Sequence, residues 1–454
     1  MGESLAVANR PAMKKSESKP QTKTPIKSPR NTSRSELQSA NGSRRNSASS
    51  NQYTISRNPN GIPDYRLEVL ECRTVEECVD GQFRYAIEGD LTAEPPPLRE
   101  SKYLNKQQSI EIYRYMLLNR KMEQTLENLF KQQKVVGGVY LGLGQEGCSC
   151  ASAYALREGD WIGPLIRNQG ALLVRGFKPR DLMMQYMAKS GAPTGGRDAG
   201  SHFGDKHQRH IAAPISMLGD LIPVLAGVAL GARLQGKNIA CLTWVGDGGQ
   251  STGPTYEGFN FAAVQKLGVI LIIENNLWAY STPVDRQVAC TDLADRAIGY
   301  GVPGFIVDGT DPNQVYDVTY EAAQRAYGGE GATLIEAKMM RMRGHAMHDA
   351  AAYVPPAYFE YWKKRDPIAR MEKYLLEKHW LTPKENGDLV AFTQKQIEED
   401  RDFADASPYP DGSTAGERVF CDNSVEIPLL YGTPKVKQVK KKKLGAASDV
   451  AHFR

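Results

Sequence analysis

The sequence predicts an α/β protein, a mostly parallel sheet with helices on both faces, held between two disordered basic tails. Three observations predict it. Ile239 to Val245 and Val269 to Ile273 are short apolar runs, each closed by a polar, turn-forming segment. The stretch between them, Thr255 to Leu267, has the composition and length of a helix. Two buried strands joined by one helix make a parallel unit with a right-handed crossover. The chain ends differ from the rest in both charge and apolar content.

Residues 1–60 are dominated by Ser, Asn, Lys, Arg, Pro and Thr, with eleven basic residues against three acidic ones. So few aliphatic side chains cannot offset chain entropy, which predicts disorder. The Arg- and Ser-rich, acid-poor composition resembles a mitochondrial transit peptide, but the prolines and the missing leucine face argue against that amphipathic helix. Residues 61–100 read as an N-terminal extension, and 101–425 as one large domain. Within it, Ile110, Tyr113 and Leu117, then Leu126, Leu129 and Phe130, recur at helical spacing. Helices are expected at 145–157 and 179–189, and further strands at Gly304 to Asp308 and Thr333 to Glu336. Residues 433–454 carry seven basic residues against one acid, including Lys440 to Lys443, and read as a solvated tail. The formal net charge of +5 therefore conceals an acidic body.

Composition narrows the function classes. No uninterrupted apolar run approaches the roughly eighteen residues of a membrane helix. No apolar h-region follows the start, so a secretory signal is not expected and the chain reads as cytoplasmic. Seven cysteines without a Cys-x-x-Cys pair make neither a disulfide scaffold nor a zinc module, and Cys148 and Cys150 read as reduced core filling. His202, His207 and His210 sit in a Gly- and Asp-containing stretch without a cysteine or carboxylate at ligand spacing, which favours a loop over a metal site. A nucleic-acid-binding role carried by the basic ends is the alternative of another class; the acidic body argues against it.

The chemistry is concentrated at two strand ends. The first strand runs into Gly246-Asp247-Gly248-Gly249 and the second into Glu274-Asn275-Asn276. Parallel strands place these ends on one edge, where ligands of open α/β sheets bind. Asp247 and Asn276, twenty-nine positions apart, should therefore meet. A carboxylate and an amide oxygen are hard donors suited to Mg²⁺. The glycines leave backbone N–H groups free near a helix start, where phosphate is favoured. Gly-Asp-Gly alone is also an ordinary turn. Followed by a helix, a second strand and paired asparagines, it points to a magnesium-bridged diphosphate.

The stretch from Gly246 to Pro283 resembles the thiamin-diphosphate fingerprint, as it stands in the alpha subunit of the decarboxylating component of 2-oxo acid dehydrogenase complexes. The resemblance covers about residues 100–380. It takes in GQE at 144–146, IRNQG at 166–170, GRDAGSH at 196–202 and SMLGDLIP at 216–223. RAIGYGVPG at 296–304, RGHAMHD at 343–349 and KRDPIARMEKYL at 364–375 continue it in order. It implies a thiamin-diphosphate-binding fold and a 2-oxo acid dehydrogenase that passes an acyl group to lipoyl-protein. Asp247, Asn276 and the main-chain carbonyl of Trp278 would hold Mg²⁺. Gly248 and Gly249 would donate to the diphosphate and Arg167 would pair with a phosphate. Ser216 and Leu218 would meet the aminopyrimidine through their backbone. His345 would lie beside the reacting carbons on a mobile loop that Arg341 helps to fix. The implied partners are a beta subunit, in an α₂β₂ assembly, and a lipoyl acyltransferase core.

Four positions depart from the family pattern. Ile166 stands where a Tyr commonly precedes the phosphate arginine, and Trp278 replaces the usual Tyr at a position that acts through its carbonyl. Tyr140 stands where pyruvate-type members often carry a His, and Ala346 where animal relatives carry a phosphorylated serine. GFNFAA at 258–263 and HFGDK at 202–206 look more like branched-chain members. The substrate expectation is therefore a branched-chain, 2-oxoisovalerate-type acid, with pyruvate dehydrogenase or acetoin dehydrogenase as alternatives.

Overall fold

The structure, a computed structural model, describes residues 72–79, 82–198 and 200–417, all within one compact unit. The two expected basic tails, 1–60 and 433–454, lie outside the described residues. The described chain starts with an antiparallel hairpin of β1 (Arg73–Val79) and β2 (Gln82–Glu88). Next comes α1 (Lys106–Lys131), opened by a reciprocal cap in which Asn105 and Gln108 each accept the other's backbone N–H at 3.0 Å. Tyr113, Leu117, Leu126 and Leu129 line its buried face, while Ile110 and Phe130 are partly buried against the same core.

The helix expected at 145–157 is shorter in the structure, as α2 (Glu146–Tyr154). Gly159, at φ +88°, turns the chain out of it and into β3 (Trp161–Gly163). After α3 (Gln169–Val174), the helix expected at 179–189 is α4 (Pro179–Tyr186), because Ala188 takes a left-handed φ of 52°. The sequence reading passed over α5 (Leu221–Leu234), whose apolar residues and glycines run almost all the way round and show no 3.6-residue rhythm. Then follow β4 (Cys241–Gly246), α6 (Gly253–Val264) and β5 (Val269–Asn275), the parallel unit expected from sequence. A minimal ribbon of β6 (Trp278–Ala279) and β7 (Thr282–Pro283) leads through α7 (Arg296–Tyr300) to β8 (Gly304–Asp308). The chain continues with α8 (Pro312–Tyr327), β9 (Thr333–Lys338), α9 (Pro356–Lys363), α10 (Pro367–Glu377) and α11 (Pro383–Ala406).

The main sheet has the order β3-β4-β5-β9-β8 and every pair in it is parallel. Both faces are covered, so its strands are apolar throughout instead of alternating. Along β4, Leu242 and Trp244 enter one core with residues of α1 to α4 and α8, whereas Cys241 and Val245 enter a second with α5 and α6. A third, smaller cluster gathers Trp278, Met340, Tyr358 and Trp362 with Cys72 ahead of the hairpin. All parallel strands end on the same edge. The segments that leave that edge carry Arg167 after β3, Asp247 after β4, Asn276 after β5, and Arg341 and His345 after β9. Among the described residues no helix is long and apolar enough to cross a membrane.

Candidate functional site

Asp247 and Asn276 meet at the carboxyl edge of β4 and β5. One end of the Asn276 amide lies 3.2 Å from Asp247 Oδ1 and 3.3 Å from the carbonyl oxygen of Trp278. With its oxygen on that side the amide joins the carboxylate and the main-chain carbonyl as a third acceptor; with its nitrogen there it would donate to both. Facing acceptors repel, and a cation between them reverses the sign. Three hard oxygens are a donor set that fits Mg²⁺. The second carboxylate oxygen, Asp247 Oδ2, accepts from Gln287 Nε2 at 2.6 Å, and Gln287 also donates to the Thr282 carbonyl at 2.9 Å. Burial pushes the Asp247 carboxyl up to about 6, against the pull of the Gln287 bond.

The glycines after Asp247 are required by close packing. A Cβ on Gly248 would fall 2.6 Å from Ala279 Cβ, and one on Gly249 2.8 Å from Val245 Cγ2 and 3.1 Å from Leu218 Cβ. Only bare backbone fits in this turn, which leads into α6. Leu218 lies across it, and its carbonyl accepts from Thr252 Oγ1 at 3.0 Å. Ser216 is exposed, with Oγ 2.8 Å from His202 Nε2. Met217 and Leu218 stand 61% and 47% exposed, so this turn presents apolar surface beside the glycines.

Arg167 and Arg341 tie the loops of the edge together. Arg167, buried, donates from Nη1 to the Leu141 carbonyl at 3.1 Å and from Nη2 to the His345 carbonyl at 2.6 Å. The same Nη2 lies 3.2 Å from His345 Nδ1. Burial and the neighbouring Arg341 pull its guanidinium down to about 10. Arg341 donates to the carbonyls of Trp278 at 3.2 Å and Tyr280 at 3.1 Å, and to the Tyr353 hydroxyl at 2.8 Å. It therefore clamps the loop after β5 against the loop after β9.

His345 is half-buried between two tyrosine rings, with Tyr140 edge-on at 5.6 Å and Tyr280 at 4.7 Å. Burial and the Arg167 and Arg341 charges pull its imidazole down to about 4. The ring is neutral at physiological pH. An arginine can only donate, so Nδ1 accepts and the proton resides on Nε2. Its backbone N–H donates to Asp349 Oδ2 at 2.6 Å.

The structure thus brings Asp247, Asn276, Trp278, Gly248, Gly249, Arg167, Arg341 and His345 to one edge, with Leu218 against Gly249. The three loop histidines do not cluster. His202 meets Ser216, His210 packs its ring 5.4 Å from Trp161, and His207 donates its N–H to Asp205 Oδ1 at 3.1 Å. Among the described residues no group of three or more His, Cys, Asp and Glu could hold a metal ion. Sequence reasoning missed Gln287, Tyr280 and Tyr353. Gln287 follows the β6–β7 ribbon, and nothing in its neighbours signals that it reaches back to Asp247.

Fold and site together define a subunit that gathers a buried carboxylate beside an amide, a close-packed glycine turn and a half-buried histidine at one sheet edge. Comparison with known proteins gives it a family. The profile of the family described as "Dehydrogenase E1 component" matches residues 113–413. The chain is 38% identical over 320 residues to the 2-oxoisovalerate dehydrogenase subunit alpha of Bacillus subtilis (strain 168), covering 70% of this chain and 96% of that one. It is 32% identical over 310 residues to the pyruvate dehydrogenase E1 component subunit alpha of Rhizobium meliloti (strain 1021), covering 68% and 89% respectively. The chain belongs to the dehydrogenase E1 component family and is the alpha subunit of a 2-oxo acid dehydrogenase. Relatives named for both acids occur at comparable similarity, so the family alone does not choose the substrate.

Proposed function

We propose that this chain holds Mg²⁺ and thiamin diphosphate for the oxidative decarboxylation of a branched-chain 2-oxo acid and transfer of the acyl group to lipoyl-protein. The observation that carries the reading is the convergence of Asp247 Oδ1 and the Trp278 carbonyl oxygen on the Asn276 amide, at 3.2 and 3.3 Å. These would be the protein's ligands to Mg²⁺. Gly248 and Gly249 would present N–H groups to the diphosphate, and Arg167 would add charge from the adjoining loop. Thiamin diphosphate, when bound, supplies the carbon nucleophile and the electron sink for loss of CO₂.

The chain's own residues position and protonate. His345, neutral with its proton on Nε2, donates to the carboxylate or carbonyl of the 2-oxo acid and moves protons near the lipoyl sulfur. Arg167 fixes that tautomer through Nδ1. Tyr140 and Tyr280 wall the histidine with apolar ring surface. Ala346 offers no hydroxyl, so control by phosphorylation at that position is absent.

The pocket is half of one. The exposed Ser216–Leu218 turn and the exposed apolar residues of α5 and α6 (Val224, Leu234, Phe261 and Val264) support burial against other subunits. The reading is a beta subunit that completes the aminopyrimidine side of the site, in an α₂β₂ tetramer with closed two-fold symmetry. A lipoyl acyltransferase core is the acceptor. The branched-chain preference is supported by the Bacillus relative, by GFNFAA and HFGDK, and by Tyr140 in place of a histidine.

The test is CO₂ release from a panel of 2-oxo acids with a dye acceptor, with and without the beta subunit. The expected result is no release by the chain alone, and release from 2-oxoisovalerate faster than from pyruvate once the beta subunit is added. Faster turnover of pyruvate would overturn the substrate reading. No release from any 2-oxo acid by the complete assembly would overturn the function.

A further inference from the structure

Asn276 has a hydrogen-bonding problem that its immediate surroundings would solve the other way. Rotating its amide by half a turn would direct Nδ2 at Asp247 Oδ1, 3.2 Å away, and at the Trp278 carbonyl, 3.3 Å away. Two hydrogen bonds would form, and an N–H would occupy the place of the cation. The bonds on the other side of the amide favour the opposite orientation, with Oδ1 toward Asp247. There Asn276 Nδ2 donates to Gln145 Oε1 at 3.1 Å.

Following the bonds outward shows what holds the amide. Gln145 Nε2 donates, at a long 3.4 Å, to Glu274 Oε2. The other oxygen, Glu274 Oε1, accepts from Asn168 Nδ2 at 2.7 Å, and Asn168 Oδ1 accepts the backbone N–H of Leu165 at 2.9 Å. Every side chain in this row is buried: Gln145 1%, Asn168 0%, Glu274 1% and Asn276 5% exposed. A backbone N–H can only donate, which fixes the polarity of Asn168. As a carboxylate Glu274 accepts at both oxygens, which turns Gln145 Nε2 toward it and Oε1 toward Asn276. With Gln145 Oε1 turned to Asn276, rotating Asn276 would set two amide oxygens against each other at 3.1 Å. Buried facing acceptors of this kind are costly, because each group loses its bonds to water and gains none in return.

We propose that Gln145, backed by Glu274 and Asn168, is a positioning residue that sets the amide polarity of Asn276 and so keeps its oxygen available to the cation. This rests on the reading of Asp247, Asn276 and Trp278 O as a Mg²⁺ site. The row starts in the loop that carries Arg167 and ends at Asn276. The same loop order therefore serves both the phosphate side and the metal side of the site.

The test uses the full chain assembled with its beta subunit. Tryptophan fluorescence follows thiamin diphosphate binding as Mg²⁺ is titrated. Gln145→Met removes both of its bonds at similar length, and the Mg²⁺ concentration for half-saturation should rise about 10–100-fold, the usual scale for a lost partner of a metal ligand. Asn276→Asp supplies an oxygen whichever way the group rotates. In that background, adding Gln145→Met should shift the Mg²⁺ requirement by no more than about threefold. A merely structural role for Gln145 would weaken binding equally in both backgrounds, and that result would overturn the proposal. If Gln145→Met does not fold, Glu274→Gln, which can no longer accept at both ends, should raise the Mg²⁺ requirement in the same range; an unchanged requirement overturns the proposal. A wild-type assembly whose cofactor binding is indifferent to Mg²⁺ would instead sink the metal-site reading itself.

Discussion

Arg167 Nη2 donates to the carbonyl of His345 at 2.6 Å and faces its Nδ1 at 3.2 Å, so the loops after β3 and β9 are joined at one guanidinium. The arginine proposed to bind phosphate and the histidine proposed to carry a proton are therefore not independent parts. Whatever displaces one displaces the other.

Arg167→Lys should weaken Mg²⁺-dependent thiamin diphosphate binding and lower turnover together, each by about tenfold or more. A single ammonium cannot hold the Leu141 carbonyl, His345 and a phosphate as a planar fork does. Calorimetry and a CO₂-release assay on the assembled enzyme measure the two effects. Loss of neither would leave Arg167 with a packing role alone.

His345→Ala should bind cofactor almost normally and lose turnover by about 10²-fold, the scale of a lost acid/base group. Near-normal activity with a lipoyl acceptor would return the ring to a structural role. The pH dependence has a definite sign. The unfolded ring titrates at 6.5 and the folded ring at about 4, so the unfolded chain takes up the proton first. This group therefore lowers stability as pH falls through that window and is silent above it. A melting series from pH 7 to 4 should fall less steeply in His345→Ala than in the wild type.

Gly344→Ala tests how that histidine is held. A Cβ on Gly344 would fall within clashing distance of the Asp349 carbonyl, which is backbone and cannot swing aside. The loop must shift, and the Asp349–His345 hydrogen bond shifts with it. Turnover should drop at least tenfold while Mg²⁺ affinity changes little. Full activity in this variant would show the loop to be more tolerant than its packing indicates.

Trp244→Ala should destabilise the fold by about 3–5 kcal/mol, the range for emptying a buried aromatic site. Trp244 is 1% exposed in the centre of β4, and its Nε1 donates to Ser152 Oγ at 3.2 Å, joining the sheet to the last turn of α2. Denaturant unfolding measures it. A change under about 1 kcal/mol would contradict the two-core description of the sheet.

Much of this was legible in the sequence because it depends on local pattern. The apolar runs at β4 and β5 and the Gly-Asp-Gly and Asn-Asn that end them required nothing but parallel pairing to place Asp247 beside Asn276. What was not legible depends on three-dimensional closure. Helix α5 carries no periodic signal, since residues on several sides of it are apolar and part of that surface stays exposed. Gln287 reaches Asp247 across forty positions through a turn that no spacing rule describes. Helix α4 stops short of residue 189 because Ala188 takes a left-handed backbone conformation, which composition records only weakly. Gln145 and Asn168 stood inside recognisable motifs, but their roles as orienting amides needed distances and donor directions.

The most direct measurement of the central claim is thiamin diphosphate binding by the assembled enzyme, titrated against Mg²⁺, for the wild type and Asp247→Ala. Asp247 follows the end of β4 and belongs to neither hydrophobic core, so the variant should keep its fold and melting behaviour. The account predicts saturable, Mg²⁺-dependent binding in the wild type and at least about 100-fold weaker binding in Asp247→Ala, with unchanged circular dichroism. Wild-type cofactor affinity in that variant, with the same Mg²⁺ dependence, would contradict it.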